Sequence, residues 1–542
     1  FDSGSTWTTN SLTETRNDDY NVTSQAIANY MGTFGSHNLT VMAGFENYYM
    51  KSESLGAARD KYELTGYPYL NIGSEDFQTN SGTGSEYTSN SVFGRVIYSY
   101  ADRYLFQANV RHDGSSRFAK GYRWGTFPSF SAGWVASEEK FMKNLKWDWL
   151  SFLKLRGSWG MLGNERIGSN YFPYIALMSF GNSLFYMADG SVVSDKTARP
   201  AVLAVEDITW ETTTSTDLGL DVNFLNNRLQ FHFDYYWKET KDMLLNIEIP
   251  YFMGYNNPST NAGKMSTHGY DIEVAWNDQI GDFKYGVNVN FSDFLSKIDY
   301  MNDGEQISGG KIKRAGVLFN EFYGYVCEGI YQTQEEVNNS ARTSTTVTVG
   351  DLKYRDISGP DGVPDGVISP EYDRVPLGNS LPRFQYGGSL NASYKGIDFS
   401  LAFQGIGKQN SYLSTSMVQP LRDNYGNVPA ILEGKYWSPF NTTEENLAAK
   451  YPRLSNVSKS NNYATSNFWM FNGSYFRLKN ITLGYTLPKS WTQKAGINRA
   501  RFYVSGSDLF CLSNFPSGWD PEMGTSDYPI TTSLVMGIQV NF

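Results

Sequence analysis

Short runs in which apolar and polar residues strictly alternate recur along the chain. In residues 228–238, the apolar side of the alternation consists of Leu229, Phe231, Phe233, Tyr235 and Trp237. The C-terminal segment repeats the pattern with Leu534, Met536, Ile538, Val540 and Phe542. A period of two places the two sets of side chains on opposite faces of a β-strand. The pattern therefore predicts many strands, each with one apolar face.

The connections between these runs differ sharply in length. Residues 224–228 form one of several tight connections, and the Asn226-Asn227 pair suits a hairpin turn that needs positive φ. Long polar stretches lie at 51–90, 300–380 and 405–470. Short turns at one end and long loops at the other are typical of an outer-membrane barrel. We expect an all-β, transmembrane antiparallel β-barrel, with roughly 14–16 strands in this chain.

Composition favours a membrane barrel over the competing interpretation, a soluble sugar-binding β-protein. Aromatic residues make up 16% of the 542 residues, which suits the aromatic girdles at the two membrane interfaces of a barrel. No apolar run approaches the ~18 residues of a membrane-spanning helix. The net charge of −10 argues against a nucleic-acid partner. The two cysteines and four histidines show no spacing typical of metal sites or disulfide frameworks.

Several longer motifs carry a resemblance to a known family. They are GRVIYSYADRYLFQANVRHDGSSRFAKGYRWGTFPSFSAGWVASEEKFM, LSFLKLRGSWGMLGNERIG, NGSYFRLKNITLGYTLP and the terminal strand. In this order, and over nearly the whole chain, they resemble the SusC/RagA family of TonB-dependent outer-membrane transporters of Bacteroidetes. The resemblance implies a barrel of about 22 strands in the outer membrane of a Gram-negative bacterium. Residues 1–542 then correspond to the C-terminal part of the barrel, and we expect the signal peptide, plug and first strands to be absent from this chain.

The resemblance also implies a function and partners. Family members import oligosaccharides, or in some cases peptides, with a SusD-like surface lipoprotein as a lid and energy supplied by TonB. We expect import of oligosaccharides, with starch-derived α-glucans as one candidate, through a barrel that faces outer-membrane lipid. A peptide importer of the same family and a passive porin are the alternatives. No G-x-S-x-G or H-E-x-x-H motif occurs, so we do not expect an enzyme.

One acidic, glycine-rich segment has spacing that suits a metal ligand set. In residues 356–374 the candidate ligands are Asp356, Asp361, Asp365 and Asp373. Carboxylates among glycines are how proteins surround Ca²⁺ with oxygen atoms. Val363 stands where a ligand oxygen is expected, so an acidic extracellular turn without metal is the competing interpretation. The cofactor expectation is therefore none, apart from a structural Ca²⁺ in this loop.

Three aromatic residues in the segment 405–470 are candidate substrate contacts. Trp437, Tyr463 and Trp469 lie among asparagines and serines, and such aromatic faces stack on sugars while amides bind the hydroxyls. The alternative is that they belong to the interfacial girdle or to the surface that docks the lipoprotein. In residues 111–118, an ion-paired active site is one interpretation of Arg111, Asp113 and Arg117, but we expect them to fix an extracellular loop or the lumen wall.

The terminal strand has a second predicted role. Its apolar residues Leu534, Met536, Ile538, Val540 and Phe542 are expected to face lipid. Barrel-assembly machinery reads such an alternating strand with a terminal aromatic residue in outer-membrane proteins generally. We therefore predict that these five side chains form the barrel-assembly signal.

Overall fold

The computed structural model is nearly all β-structure. It describes residues 10–64, 66–145, 147–167, 171–302, 304–414, 418–421, 428, 430–524 and 528–542. The helices are α1 (Lys140–Asn144), α2 (Gln334–Asn339), α3 (Thr443–Leu447), α4 (Lys459–Asn462) and α5 (Lys489–Thr492), and short 3-10 segments are Leu70–Ile72, Glu75–Phe77, Ala136–Glu138, Tyr251–Met253, Ala430–Leu432, Asn467–Trp469 and Gln493–Ala495. Among the residues that the structure describes, no helix has the length and apolar character that a membrane span requires.

The strands follow one another along the whole chain. They are β1 (Ser11–Phe34), β2 (His37–Asp60), β3 (Gln78–Tyr100), β4 (Tyr104–Ser115), β5 (Trp124–Val135), β6 (Leu150–Asn164), β7 (Met178–Tyr186), β8 (Val192–Pro200), β9 (Glu211–Phe224), β10 (Leu229–Asn246), β11 (Ser259–Ile280), β12 (Phe283–Met301), β13 (Glu305–Ser308), β14 (Lys311–Arg314), β15 (Glu321–Tyr325), β16 (Cys327–Ile330), β17 (Leu352–Tyr354), β18 (Arg374–Asn379), β19 (Arg383–Tyr394), β20 (Ile397–Lys408), β21 (Asn410–Tyr412), β22 (Met470–Asn472), β23 (Tyr475–Thr486), β24 (Arg499–Ser513) and β25 (Ser533–Asn541).

Fifteen strands of the described residues form one large antiparallel sheet. Its order is β1-β2-β3-β4-β5-β6-β9-β10-β11-β12-β19-β20-β23-β24-β25. Because sequential strands pair, neighbours are joined at one end by tight turns such as Leu225–Arg228 between β9 and β10. Asn226 and Asn227 have φ values of 59° and 62°, as the sequence predicted for this turn. The predicted number of strands and the all-β class are confirmed.

The remaining strands lie in the long connections. They form a four-stranded sheet, β13-β14-β15-β18, and the pairs β16-β17, β21-β22 and β7-β8. The predicted loop at 51–90 is wrong in part, because β2 extends to Asp60 and β3 begins at Gln78. Those residues alternate weakly in polarity but pair over the full ladder between β2 and β3.

Contacts divide the chain into two compact units. The first contains Phe1–Trp134, Gly157–Thr216 and Glu239–Gly263, and the second contains Val135–Arg156, Asp217–Lys238 and Lys264–Phe542. The core of the first unit is a cluster of buried apolar residues: Phe118, Phe127, Ile167, Ile208 and Trp210. The Trp210 indole donates a hydrogen bond to the Arg123 carbonyl at 2.9 Å, so the buried ring leaves no unsatisfied donor.

The second unit contains a separate apolar core built from long connections. We call this region, residues 302–382 and 409–474 with 514–524, the loop lobe. Its core residues are Tyr325, Leu352, Tyr354, Ile368, Leu413, Val418, Trp469 and Phe515. Helix α3 in the lobe begins with a capping box, in which Thr442 and Glu445 each accept a hydrogen bond from the other's backbone amide. The described residues of these loops therefore form a folded region with its own core.

Candidate functional site: the loop lobe and the polar face of the sheet

A buried carboxylate joins the two long connections of the loop lobe. Asp351 is fully buried, and its oxygens accept hydrogen bonds from Arg453 at 2.7 and 3.3 Å. Ser458 and Asn462 donate to the same carboxylate at 2.8 and 2.9 Å, and the Thr348 amide donates at 2.9 Å. A buried charge is stable only when it is paired and its lone pairs are satisfied. This network therefore holds the lobe together.

The asparagines beside this network extend it through the backbone. Asn461 donates to the Leu352 carbonyl at 2.9 Å, and the Leu352 amide donates to the Asn462 side chain at 2.9 Å. The Tyr354 hydroxyl donates to the Asn461 carbonyl at 2.6 Å. Polar groups about a hundred positions apart in sequence thus form each other's hydrogen bonds, and no local pattern in the sequence indicates these pairs.

The structure places the predicted sugar-contacting aromatics inside the lobe. Trp469 has no exposed surface, and its indole donates to the Asn462 carbonyl at 2.7 Å. Trp437 is also buried, donates to Gln332 at 3.2 Å and packs against Gly350, where a Cβ atom would lie 2.3 Å from the ring. In this conformation the faces of these two indoles are covered by protein, so they stabilise the lobe rather than stack on a ligand.

Tyr463 is the one half-buried member of the predicted aromatic set. Its ring lies 5.7 Å from the Trp469 ring, centroid to centroid, and its hydroxyl donates to the Pro420 carbonyl. Its role in substrate binding stays a prediction. The alternative of a girdle position does not apply to Trp469, because a girdle residue lies at a membrane interface and this ring lies in a protein core.

The four aspartates of the acidic segment are not gathered around a common point. Asp373 is fully buried and accepts from the Ile357 and Ser369 amides at 2.7 Å and from the Ser358 amide at 3.2 Å. Its oxygens therefore face backbone donors. Asp356 accepts from the Gly366 amide at 2.7 Å, Asp365 accepts from the Val367 amide at 2.9 Å, and Asp361 is exposed.

These carboxylates do not fit a calcium ion in this conformation. Within the described residues, no group of three or more His, Cys, Asp or Glu side chains is placed to hold a metal ion. The Asp373 carboxylate itself stabilises the fold of this loop, because it accepts hydrogen bonds from three backbone amides. Calcium binding stays a prediction that requires the loop to rearrange.

Cys327 and Glu336 are among the groups of the lobe whose pKa values are shifted. Burial raises the pKa of the Cys327 thiol to about 11. Burial alone would also raise the pKa of Glu336, but the Gln332 amide and the Lys353 ammonium, 2.9 and 3.0 Å away, hold it below its usual value. Cys327 is therefore a protonated, weakly reactive thiol. Glu336 is a structural carboxylate at the start of α2.

In the second unit, charges on the polar face of the sheet are paired within the wall. Arg156 on β6 makes a two-pronged contact with Asp234 on β10, and it donates to Asp221 on β9 at 3.2 Å. Gly219 makes room for this guanidinium, because a Cβ atom there would lie 2.4 Å from Arg156 Cζ. Arg501 pairs in the same way with Asp398. Such charges on a wet barrel wall need not be catalytic.

The first unit has a polar recess on the same kind of wall. Arg111 donates to Asp113 at 2.7 Å, to Glu46 at 3.1 Å and to Ser91 at 2.7 Å. The expected role of these residues in fixing a loop or the lumen wall stays a prediction. Beside Arg111 lies a cavity of about 590 Å³, whose lining combines apolar side chains with hydroxyl and amide groups. The apolar ones are Phe127, Phe130, Trp159, Met161 and Leu162, and the polar ones include Gln107, Asn109, Ser129, Ser131, Ser158 and Ser215. We call this cavity the polar recess. The sequence drew attention to Arg111 and Asp113 but gave no signal for the recess.

The terminal strand has the two faces that its alternation predicted. β25 pairs antiparallel with β24, and Met536 and Ile538 lie opposite Val504 and Phe502. Met536 is 73% exposed, Ile538 is 64% exposed and Phe542 is 85% exposed. The role of this strand as an assembly signal stays a prediction. An exposed apolar face of this kind is typical of a strand of a membrane β-barrel, where it contacts lipid.

The chain belongs to the TonB dependent receptor-like β-barrel family, whose sequence model matches residues 1–505. It is 30% identical over 560 residues to TonB-dependent receptor P3 of Formosa agariphila, covering 96% of this chain and 52% of that protein. It is 28% identical over 538 residues to TonB-dependent receptor SusC of Bacteroides thetaiotaomicron, covering 96% of this chain and 50% of SusC. The chain thus spans about half the length of the curated relatives it matches.

A solved structure shows the same fold. The structure of the RagAB peptide transporter superposes with a TM-score of 0.79 at 24% identity, covering 98% of this chain and 56% of that chain. The resemblance to the SusC/RagA family is confirmed, and the protein is an outer-membrane β-barrel of a Gram-negative bacterium. These relatives are named as receptors and transporters, in agreement with the expectation that the protein is not an enzyme.

Proposed function

We propose that this chain is the barrel part of an importer that moves oligosaccharides, with starch-derived α-glucans as one candidate, across the outer membrane. Binding selects the substrate at the loops and the polar wall, and energy from TonB releases it inward. A SusD-like surface lipoprotein serves as the lid of the complex. The protein performs no covalent chemistry, so selectivity arises from binding alone.

The observation that supports a neutral, hydroxylated substrate is the chemistry of the polar recess. Its arginine is already paired with Asp113 and Glu46, so the wall offers the substrate no strong unpaired charge from Arg111. Around the pair, Asn109 donates to Ser129 at 3.1 Å, and serine hydroxyls share the rest of the lining with apolar side chains such as Trp159 and Met161. Hydroxyls and amides both donate and accept hydrogen bonds, which matches the hydroxyl groups of a sugar.

A competition experiment separates the glycan from the peptide hypothesis. Cells that carry the complete transporter as their single route for uptake are given labelled α-glucan oligosaccharides, and unlabelled oligosaccharides or peptides of similar mass are added as competitors. The proposal predicts that oligosaccharides compete and peptides do not. Competition by peptides alone would assign the protein to the peptide importers and refute the glycan proposal.

Variants of the polar recess test whether this surface contacts the substrate. Replacing Asn109 with alanine removes one donor and one acceptor, so we expect the half-saturating concentration to rise about tenfold. The matched control is Ser183→Ala in the exposed hairpin β7–β8, where the hydroxyl pairs with Thr197 at 3.1 Å. Equal effects of the two changes, at equal amounts of folded protein, would exclude the recess as a contact.

The partner is tested by native mass spectrometry of the complex extracted from outer membranes in mild detergent. The proposal predicts a complex that contains a lipid-modified protein in addition to a chain heavier than the 61.1 kDa of this sequence. A single chain without any lipid-modified companion would contradict the lid. In that case, conductance measurements would test the passive porin.

A further inference from the structure

The apolar face of the last four strands of the sheet contains a groove. It has a volume of about 710 Å³, and we call it the terminal groove. Its apolar lining comes from β20, β23, β24 and β25: Ile397, Leu483, Tyr485, Phe502, Val504, Met536 and Ile538. Leu483 is 55% exposed and Val504 is 42% exposed, so aliphatic surface lines an open furrow.

The strand register arranges this lining in rows. Ile397 lies opposite Tyr485, Tyr485 lies opposite Phe502, and Phe502 lies opposite Ile538. Directly opposed residues of an antiparallel pair share a face, so this row crosses all four strands. The row lies next to the tight turn at Lys395 and Gly396, and therefore at the short-turn end of the sheet.

The connections beside this row are strongly basic. Residues 394–399 and 485–501 contain the cations Lys395, Lys489, Lys494, Arg499 and Arg501. Asp398 is the single acidic residue in these two segments, and Arg501 is paired with it. We call Lys395, Lys489 and Lys494 the basic rim; Arg499 lies with Arg501 on the opposite, polar face of β24. A local excess of positive charge is notable in a chain whose net charge is −10.

One backbone hydrogen bond and one aromatic contact fix the Lys395 turn beside the groove. The Thr486 amide donates to the Gly396 carbonyl at 2.7 Å, which joins the start of the α5 connection to the Lys395 turn. The Lys395 ammonium lies 5.3 Å from the centre of the Tyr394 ring. Trp491 on α5 is 65% exposed. Tryptophan, tyrosine and lysine are the residues that flank the apolar band of membrane proteins at the headgroup level.

We propose that the terminal groove and the basic rim together bind an anionic phospholipid of the periplasmic leaflet. One acyl chain lies along the groove, and the headgroup phosphate contacts Lys395 and Lys489. Lipid is the occupant that fits, because the groove is continuous with the membrane-facing surface and short turns lie on the periplasmic side. The charge of the rim selects an anionic headgroup. This inference does not depend on the identity of the imported substrate.

Lipid retention tests the proposal. The complete complex is placed in nanodiscs of phosphatidylethanolamine and phosphatidylglycerol, stripped stepwise with detergent, and analysed by native mass spectrometry. We expect phosphatidylglycerol to be enriched among the last retained lipids. The double variant Lys395→Gln, Lys489→Gln should lower this retention roughly tenfold.

The matched control is Lys143→Gln in α1, a lysine beside a short connection that already pairs with Glu138 at 2.5 Å. It should leave retention unchanged. Folding of each variant is verified by its heat-dependent migration on gels, and Lys489→Gln alone replaces the double variant if that variant does not assemble. Retained lipids that mirror the nanodisc composition, or equal retention by variant and parent, would overturn the proposal.

Discussion

Removal of the Asp351 carboxylate is the sharpest test of the loop lobe. The change Asp351→Ala leaves Arg453 without its partner and removes the acceptor for Ser458, Asn462 and the Thr348 amide. We expect the two long connections to separate locally while the large sheet stays folded, because the sheet has its own ladders of hydrogen bonds.

The magnitude follows from the burial of the pair. Removing one partner of a buried ion pair costs about 3–5 kcal/mol. The Asp351 side chain is 0% exposed, but the Arg453 side chain is 25% exposed, so water can solvate part of the guanidinium once it is alone. The lower figure, about 3 kcal/mol, is therefore expected. It corresponds to hydrogen exchange about 100-fold faster in segments that open with the lobe.

Hydrogen exchange read by mass spectrometry measures this directly. The Leu352 amide, which donates to Asn462, should lose most of its protection, and so should the segment 459–470. The control Asp361→Ala changes an exposed aspartate of the same lobe and should have no effect. If Asp351→Ala left exchange in both segments unchanged, the network would not be what joins the two connections.

Four further predictions concern single residues. Cys327, with a pKa near 11, should react with iodoacetamide at neutral pH far more slowly in the folded than in the unfolded protein; equal rates would contradict its burial. Gly219→Ala should displace Arg156 at a cost of about 1–3 kcal/mol and lower the temperature at which the folded band is lost on gels, whereas an unchanged temperature would refute the close contact. Asp373→Asn should speed proteolysis of the acidic loop equally in calcium and in chelator; an effect confined to calcium would favour the metal site. Because the pKa of Glu336 is lowered on folding, its stabilising contribution is present above its ordinary pKa and is lost as the pH falls through the folded value; proteolysis within α2 should accelerate in that acidic range, and an acceleration on raising the pH would have the wrong sign.

The fold could be predicted because its main signal is local. Alternation in residues 228–238 and 534–542 is a property of neighbouring residues, and both segments are strands with the predicted faces. The sequence predicts a loop for residues 78–90, because serine, threonine, asparagine and glycine give little contrast between the two faces. Pairing with β2 makes them a strand nevertheless.

The candidate site could be predicted much less well, because it depends on distant partners. Trp469 stands among polar residues in sequence, and that composition suggested exposure. The long connections instead fold together and build a core around it. Asp373 likewise resembled a metal ligand, but the backbone amides that occupy its oxygens come from the turn geometry of the loop. The spacing of residues along the sequence indicates neither the burial of Trp469 nor the orientation of the backbone amides around Asp373.

Uptake measured with and without the energy supply tests the central claim most directly. Cells with the complete transporter and its partner receive labelled α-glucan oligosaccharides, before and after a protonophore removes the proton gradient that drives TonB. An energised importer predicts that uptake stops while binding at the cell surface persists. Uptake that continued at the same rate in de-energised cells would contradict active import and show a passive pore.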